Sequence, residues 1–312
     1  MTDLQVAIAI GAAVVVLWVI VINLRDWRRV RGRIAAVVPV VDEPMFAVPA
    51  ERLVESVVPS DIAEAIAVLS WTTPIAVARV QQELRGWRHV GSKPICFSWR
   101  SDHGSPFEPQ PVENTVSAVQ VGVLLATRSG PLHAMEYSEW QETLDRLARQ
   151  LGAQLELPSM SDVLAKARAL DQQCAALDAQ LTIALTSPQV LSVAAIAAAA
   201  HSSGCEARGE GRFAMGPLHH QRFSVFPGDT GTSVVLLLDV PRTHEPELAF
   251  EEMLDCGQKM AALLPATLSD ESGRTLAEPE LRVIREQVLA RSQALRAAGI
   301  VPGDPVAQRL FL

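Results

Sequence analysis

Hydrophobic and polar positions follow the same order twice between residues 61 and 300. An alternating strand comes first in each half, at Glu64–Ser70 and at Gln180–Leu185. A hydroxyl residue followed by proline comes next, which predicts a helix that starts at Pro74 in one half and at Pro188 in the other. The chain therefore carries two similar strand-then-helix beginnings.

The similarity continues through an apolar strand, Val119–Thr127 or Val234–Pro241, and through the helix that follows it. A short strand and a last amphipathic helix end each half, and Gly299 is placed as the C-terminal cap of the final helix. Apolar positions of the middle helix recur with a shift of 113 residues: Tyr137 and Phe250, Trp140 and Met253, Leu147 and Met260, Leu151 and Leu264.

Each half thus predicts strand, helix, two or three strands, helix, strand, helix. Short loops between successive strands favour antiparallel pairing, and helices on one face give a two-layer α+β domain. We interpret residues 61–175 and 178–312 as two tandem copies of one fold, the second with a short tail. The alternative is two unrelated α+β domains. The sheet face without helices is where such a domain would bind a partner.

The segment Leu4–Leu24 contains 21 residues without a charge, enough for a helix of about 30 Å across a bilayer. Five arginines follow it and predict a cytoplasmic flank, so the N-terminus is expected outside. A cleaved signal peptide fits less well, because a basic start and a small-residue cleavage site are both missing. Residues 1–33 are therefore predicted to be a transmembrane anchor with a basic flank, and residues 34–60, with four prolines, a linker. The flanking arginines are Arg25, Arg28, Arg29, Arg31 and Arg33.

The remainder of the chain is acidic. Residues 1–33 hold five of the 27 basic and two of the 35 acidic residues, which leaves a net charge of −11 on residues 34–312. Nucleic-acid binding is therefore not expected, because it depends on Lys and Arg that neutralise phosphates. The four cysteines are dispersed, without metal-ligand spacing, and are expected to be small buried hydrophobes.

Candidate catalytic groups do not assemble into a site in the sequence. The pair His219-His220 has no third ligand at a suitable spacing, so no metal site is predicted. The glutamates between 245 and 252 lie at a helix start, where they complement the helix dipole. Asp102, His103 and Ser105 lie in a loop, and a triad would need geometry that sequence does not supply. We expect no enzyme activity and no cofactor.

Four segments of the second half resemble the C-terminal domain of the ZipA family, bacterial division proteins that tether FtsZ to the inner membrane. They are Val234–Pro241, Glu247–Leu264, Ala266–Asp270 and Pro279–Val288. The predicted anchor, basic flank and proline-containing linker are similar as well. The family's linker is usually longer and rich in Pro and Gln. Residues 61–175 stand in its place, which indicates a second ZipA-like domain before the usual one.

The resemblance implies a six-stranded, mostly antiparallel sheet backed by three helices. A shallow apolar groove on its open face would take the C-terminal peptide of FtsZ as a helix. Phe213, Met215 and Phe226 could instead belong to the core, and the polar first strand puts the affinity in question. The groove positions implied by the resemblance are Val235, Leu237, Phe213, Met215, Phe226, Thr182, Gln180, Arg212 and Ser224.

These features predict a division protein of the bacterial inner membrane, located at the septum, that tethers FtsZ filaments through their C-terminal peptide. Residues 4–24 would contact the lipid bilayer, the N-terminus would be periplasmic, and both domains would be cytoplasmic. Other division proteins remain open as partners. The alternative is an envelope scaffold whose sheet faces bind each other or a partner other than FtsZ. The two differ in whether an apolar face of the second domain stays open.

Overall fold

A computed structural model describes residues 58–218, 220–270 and 272–312. The predicted anchor, its arginine flank and most of the predicted linker lie outside the described residues, as does His219. Within the described ranges, no helix combines the length and the apolar composition needed to cross a bilayer.

The first domain has a five-stranded antiparallel sheet in the order β2-β3-β4-β1-β7. Three helices belong to it: α1 (Val77–Leu84), α2 (Ala134–Leu151) and α3 (Met160–Leu177). A two-stranded hairpin, β5-β6, follows β4. The strands are β1 (Glu64–Ala76), β2 (His89–Val90), β3 (Lys93–Arg100), β4 (Thr115–Leu124), β5 (Ala126–Thr127), β6 (Gly130–Pro131) and β7 (Gln154–Glu156).

The second domain has a six-stranded antiparallel sheet in the order β13-β8-β12-β11-β10-β9. Its helices are α4 (Val193–Ser202), α5 (Pro246–Leu263) and α6 (Glu278–Ala297), and the short helix α7 (Pro305–Leu310) follows them. The strands are β8 (Gln180–Thr186), β9 (Glu206–Gly209), β10 (Arg212–Met215), β11 (Phe223–Pro227), β12 (Ser233–Asp239) and β13 (Thr267–Ser269). The predicted α+β class with antiparallel sheets is confirmed.

The two sheets have the same strand order, apart from one extra edge strand in the second. In both, the first strand of the domain lies between the last strand of that sheet before the middle helix and the short strand that follows the helix. Helices also occupy the same places in both sequences of elements. This common order is what a duplicated domain requires, and the duplication itself stays a prediction.

The predictions that helices begin at Pro74 and at Pro188 are both wrong. Strand β1 continues past Pro74 to Ala76, and the register of its pairing with β4 shifts between Ser70 and Ile75. Proline is tolerated at such an irregularity because the ladder there does not need its N–H. In the second domain the helix begins at Val193, where the Ser192 side chain accepts a hydrogen bond from the Ala195 N–H.

Alternation along the strands places one set of side chains against the helices. In the second domain, Leu185, Leu236 and Leu268 lie beside Gly257 of α5. In the first, the Trp71 indole N–H donates to the Leu151 carbonyl at the end of α2, at 3.0 Å. These contacts identify the helix-covered face of each sheet, and the residues that alternate with them lie on the open face.

Arg128 joins the two domains, which form one compact unit. It follows β5 of the first domain, and its guanidinium donates hydrogen bonds of 2.6–2.9 Å to both oxygens of Asp178 and of Asp239 in the second. The Phe311 ring lies 5.7 Å from the guanidinium carbon. Burial lowers and the two carboxylates raise the pKa of Arg128, and the net result is a pKa above its ordinary value.

We expect Arg128→Ala to lower the free energy of unfolding by roughly 2–3 kcal/mol, because two carboxylates would lose their shared cation. The Arg128 side chain is only 14% exposed, although Asp178 keeps 32%. Arg285→Ala is the control: Arg285 also bridges two carboxylates, Glu251 and Glu278, but it is 34% exposed, so its loss should cost less than about 1 kcal/mol. Urea denaturation measures both, and equal losses would contradict a special role for Arg128.

Candidate functional site

The open face of the second sheet is the candidate binding surface. Register pairing brings Leu237 of β12 opposite Thr182 of β8 and Ser224 of β11. Val235, two residues before Leu237 on β12, pairs with Ala184 of β8 and with Phe226 of β11. We define the "open face" as these residues together with Arg212: Thr182, Ala184, Arg212, Ser224, Phe226, Val235 and Leu237.

Central residues of the open face keep part of their surface accessible. Val235, Leu237 and Phe226 are half-buried, whereas their neighbours Val234, Leu236 and Leu238 on the other side of β12 are fully buried. The prediction that Val235 and Leu237 point away from the helices agrees with this arrangement. An accessible set of adjacent apolar side chains is a typical docking surface.

Two predicted groove residues lie on the opposite face. Phe213 pairs with Val225, and Met215 pairs with Phe223, both partners being buried against the helices. Phe213 is 5% exposed, and its ring packs edge-to-face on His201 of α4 with centroids 5.6 Å apart. The assignment of Phe213 and Met215 to the groove is therefore wrong: Phe213 belongs to the core, and Met215, partly buried, packs against the core from the same side.

Gln180 lies at one end of the open face, opposite Asp239. Its side-chain amide donates to an Asp239 oxygen at 3.3 Å, and Asp239 is held by Arg128. Arg128 comes from the first domain, so this end of the open face is bounded by the domain junction. Neither Arg128 nor Asp239 is among the site residues predicted from the sequence. Alternation along β12 already placed Asp239 on the same side as Leu237, and that signal could have found it.

A cation lies at the other side of the open face. Arg212 is exposed, and its guanidinium carbon lies 5.7 Å from the centroid of the Phe226 ring. Such a contact holds the guanidinium over the aromatic face. Nearby Arg208 is already paired, at 2.8 Å, with Glu206.

The corresponding face of the first sheet has a different character. Pairing of β1, β3 and β4 places Gln120 at the position of Val235, Gly122 at that of Leu237, and Ser98 at that of Phe226. Ser98 donates a hydrogen bond of 2.9 Å to the Gln120 side chain. The first domain therefore has polar or small residues where the second has its central apolar ones.

Other parts of the chain cover some of this face of the first sheet, which carries Ser98, Gln120 and Gly122 and is called the first face below. A Cβ added to Gly122 would lie 2.8 Å from the Cβ of Pro59, so only glycine allows this approach. Arg309 of α7 forms an ion pair of 3.0 Å with Glu64 and lies 3.8 Å from the Cys96 sulfur. Burial raises the pKa of Glu64 above its ordinary value, although Arg309 opposes the shift. The end of the predicted linker and the C-terminal tail thus occupy the first face.

The open face combines an apolar centre with charged residues at its borders. Among the residues of the described ranges, no three His, Cys, Asp or Glu side chains form a group that could hold a metal ion. The apolar centre can bury side chains of a partner, and the Arg212 and Asp239 ends supply charges at its borders. Binding energy would come mainly from burial, roughly 1.5–3 kcal/mol for each apolar side chain.

One known family is similar to part of the second domain. Residues 213–287 match the family described as ZipA, C-terminal FtsZ-binding domain. The match runs from β10 into α6 and includes Phe226, Val235 and Leu237. No curated protein matches the chain significantly. Over residues 213–287 the chain is thus similar to the FtsZ-binding domain of the ZipA cell-division proteins, and the resemblance predicted from the sequence is confirmed for that segment.

Proposed function

We propose that this protein tethers FtsZ filaments to the bacterial inner membrane by binding the FtsZ C-terminal peptide on the open face. The observation that carries the proposal is the coincidence of the family match with an accessible apolar sheet face. The matched description names FtsZ binding, and the open face lies largely within the matched residues. Val235, Leu237 and Phe226 would supply the main apolar contacts, with Thr182 and Ser224 beside them.

The proposed complex has one groove per chain. Gln120, Gly122 and Ser98 stand in the first sheet at the positions of Val235, Leu237 and Phe226, and Pro59 fills the space above Gly122. We expect a micromolar contact, about −8 kcal/mol, between one peptide and the second domain. Many anchored copies facing one filament would add avidity to this modest affinity.

Membrane attachment through residues 4–24 is the second part of the proposal. The uncharged segment and the arginines that follow it support an anchor whose C-terminal side faces the cytoplasm. FtsZ is cytoplasmic in the proposed arrangement, so both domains would be on its side of the membrane and would concentrate at the septum.

A reporter fused after Leu312 tests this orientation. We expect activity only from a reporter that works in the cytoplasm, because the five arginines after Leu24 favour that side. The same fusion carrying glutamate at all five arginine positions is the control and should lose the bias. Activity of a periplasmic reporter on the unmodified chain would refute the orientation.

Vesicle recruitment tests the tethering itself. Full-length chain reconstituted in vesicles should bring FtsZ filaments to the membrane, and FtsZ lacking its C-terminal peptide should stay in solution. Recruitment of the truncated FtsZ would argue for another contact. Failure to recruit either form would favour the alternative of an envelope scaffold with a different partner.

A further inference from the structure

The charges at the two ends of the open face have opposite sign. At one end, Asp178 and Asp239 share the single cation of Arg128, which leaves this group with one net negative charge. At the other side, Arg212 stacks on Phe226. Across the described ranges, no carboxylate forms an ion pair with Arg212. Glu210 and Asp229 lie in the adjoining turns, both exposed.

The distance between the two ends follows from the strand register. Asp239 lies four residues after Val235 on β12, and Val235, Phe226 and Arg212 lie side by side on β12, β11 and β10. Four residues along a strand and two strand spacings across give a diagonal of about 17 Å. A helix of about 11 residues, or three turns, covers that length.

Ser224 lies at the middle of this diagonal, and Leu237 and Phe226 flank it on the side of Val235, so apolar side chains lie beside the line between the two charged ends. We infer that the open face selects a three-turn amphipathic helix that places an acidic residue against Arg212 and a basic residue against the Asp178–Asp239 group. This inference rests on the proposed function, since it specifies the peptide for the same site.

The direction of the bound helix follows from its own dipole. An acidic residue stabilises a helix at its N-terminus, and a basic residue stabilises it at its C-terminus. A peptide with that arrangement has the higher helicity before binding and loses less entropy on binding. Its N-terminus therefore lies at Arg212 and its C-terminus at the domain junction.

Two designed peptides test the inference on the full chain in detergent. They share one apolar pattern, with leucine or phenylalanine spaced for one helix face, and differ only in end charges. One has glutamate near its N-terminus and lysine near its C-terminus, and the other has these two exchanged. The wild type should bind the first peptide at least threefold more tightly, a ratio typical of exposed ion pairs.

Arg212→Glu separates binding by this arginine from differences in peptide helicity. The preference is the ratio of the affinities of the two peptides. The helicity of each free peptide contributes equally to this ratio for the wild type and for the variant, so a difference between the two ratios reports on Arg212. We expect Arg212→Glu to remove the preference or reverse it. Arg282→Glu is the matched control, because it makes the same charge change at an exposed position of α6, on the helix side. It should leave the preference unchanged.

Each outcome of the two peptide titrations either supports or overturns the inferred selection of end charges. Equal affinity of the two peptides for the wild type would overturn the inference and leave the proposed groove standing. An equal change in preference from Arg282→Glu would also overturn it, since net charge rather than Arg212 would then be responsible. Failure of the wild type to bind either peptide at millimolar concentration would refute the peptide groove itself, and the inference with it.

Discussion

Leu237→Asp is expected to weaken binding of the FtsZ C-terminal peptide at least 100-fold while the second domain stays folded. Leu237 lies on the open face between Thr182 and Ser224 and is only half-buried. In the complex an aspartate there would lose the apolar contact and bury a carboxylate without a partner, a change of about 3 kcal/mol or more. Peptide titration by fluorescence anisotropy measures the loss.

Leu236→Asp is the matched control for that result. Leu236 precedes Leu237 on β12 but is fully buried against the helices. An aspartate there would place an unpaired charge in the core, and we expect the second domain to unfold. Circular dichroism separates the two variants. If Leu237→Asp also unfolds the domain, or if it folds and binds normally, the open face has been assigned to the wrong residues.

Phe213→Ala is expected to lower the free energy of unfolding by roughly 3–5 kcal/mol, because it removes a buried aromatic ring from the core. Phe213 is 5% exposed and contacts His201. Phe226→Ala is the control on the open face and should cost about 1 kcal/mol, since its ring is only half-buried. The effects on peptide affinity should be reversed. Phe226→Ala should weaken peptide binding, whereas Phe213→Ala, if folded, should bind the peptide as tightly as the wild type.

Denaturation of these variants can be followed separately in each domain. The tryptophans of the described residues, Trp71, Trp87, Trp99 and Trp140, all lie in the first domain, so their fluorescence reports on that domain. Far-ultraviolet circular dichroism reports on both. A larger loss of stability for Phe226→Ala than for Phe213→Ala would contradict the assignment of the two faces.

Local alternation predicted much of the second domain. The strand around Val235 and Leu237 alternates between buried and half-buried positions, as the period of two along a strand requires, although residues 234–238 are apolar throughout. On strand β10, the prediction placed Arg212 on the correct side and Phe213 and Met215 on the wrong one. Its four residues alternate Arg212, Phe213, Ala214 and Met215, and apolar residues at alternate positions favour the core. The resemblance to a family groove outweighed that local evidence.

Proline signals were less informative than periodicity. A hydroxyl residue before proline is compatible with a helix start, a strand irregularity or a turn. Pro74 lies at the register shift in β1, and Ser187 accepts a hydrogen bond from the Gln189 N–H in a turn. The choice among these outcomes depends on pairing with distant strands, which the local pattern does not contain.

Contacts between the domains could not be predicted from the sequence. Arg128 joins carboxylates that lie 50 and 111 residues away, and Arg309 meets Glu64 from the other end of the chain. Each of these residues is an ordinary surface residue in its local pattern. Only the folded arrangement shows that Arg128 borders the open face and that the tail and Pro59 occupy the first domain's face.

The most direct test is titration of a labelled FtsZ C-terminal peptide with the full chain in detergent. The account predicts one peptide per chain with a micromolar Kd and only a small decrease in affinity at high salt, because burial supplies most of the energy. Absence of binding at millimolar concentration would contradict it, and so would two equivalent sites per chain, since Pro59 and Arg309 cover part of the corresponding face of the first sheet.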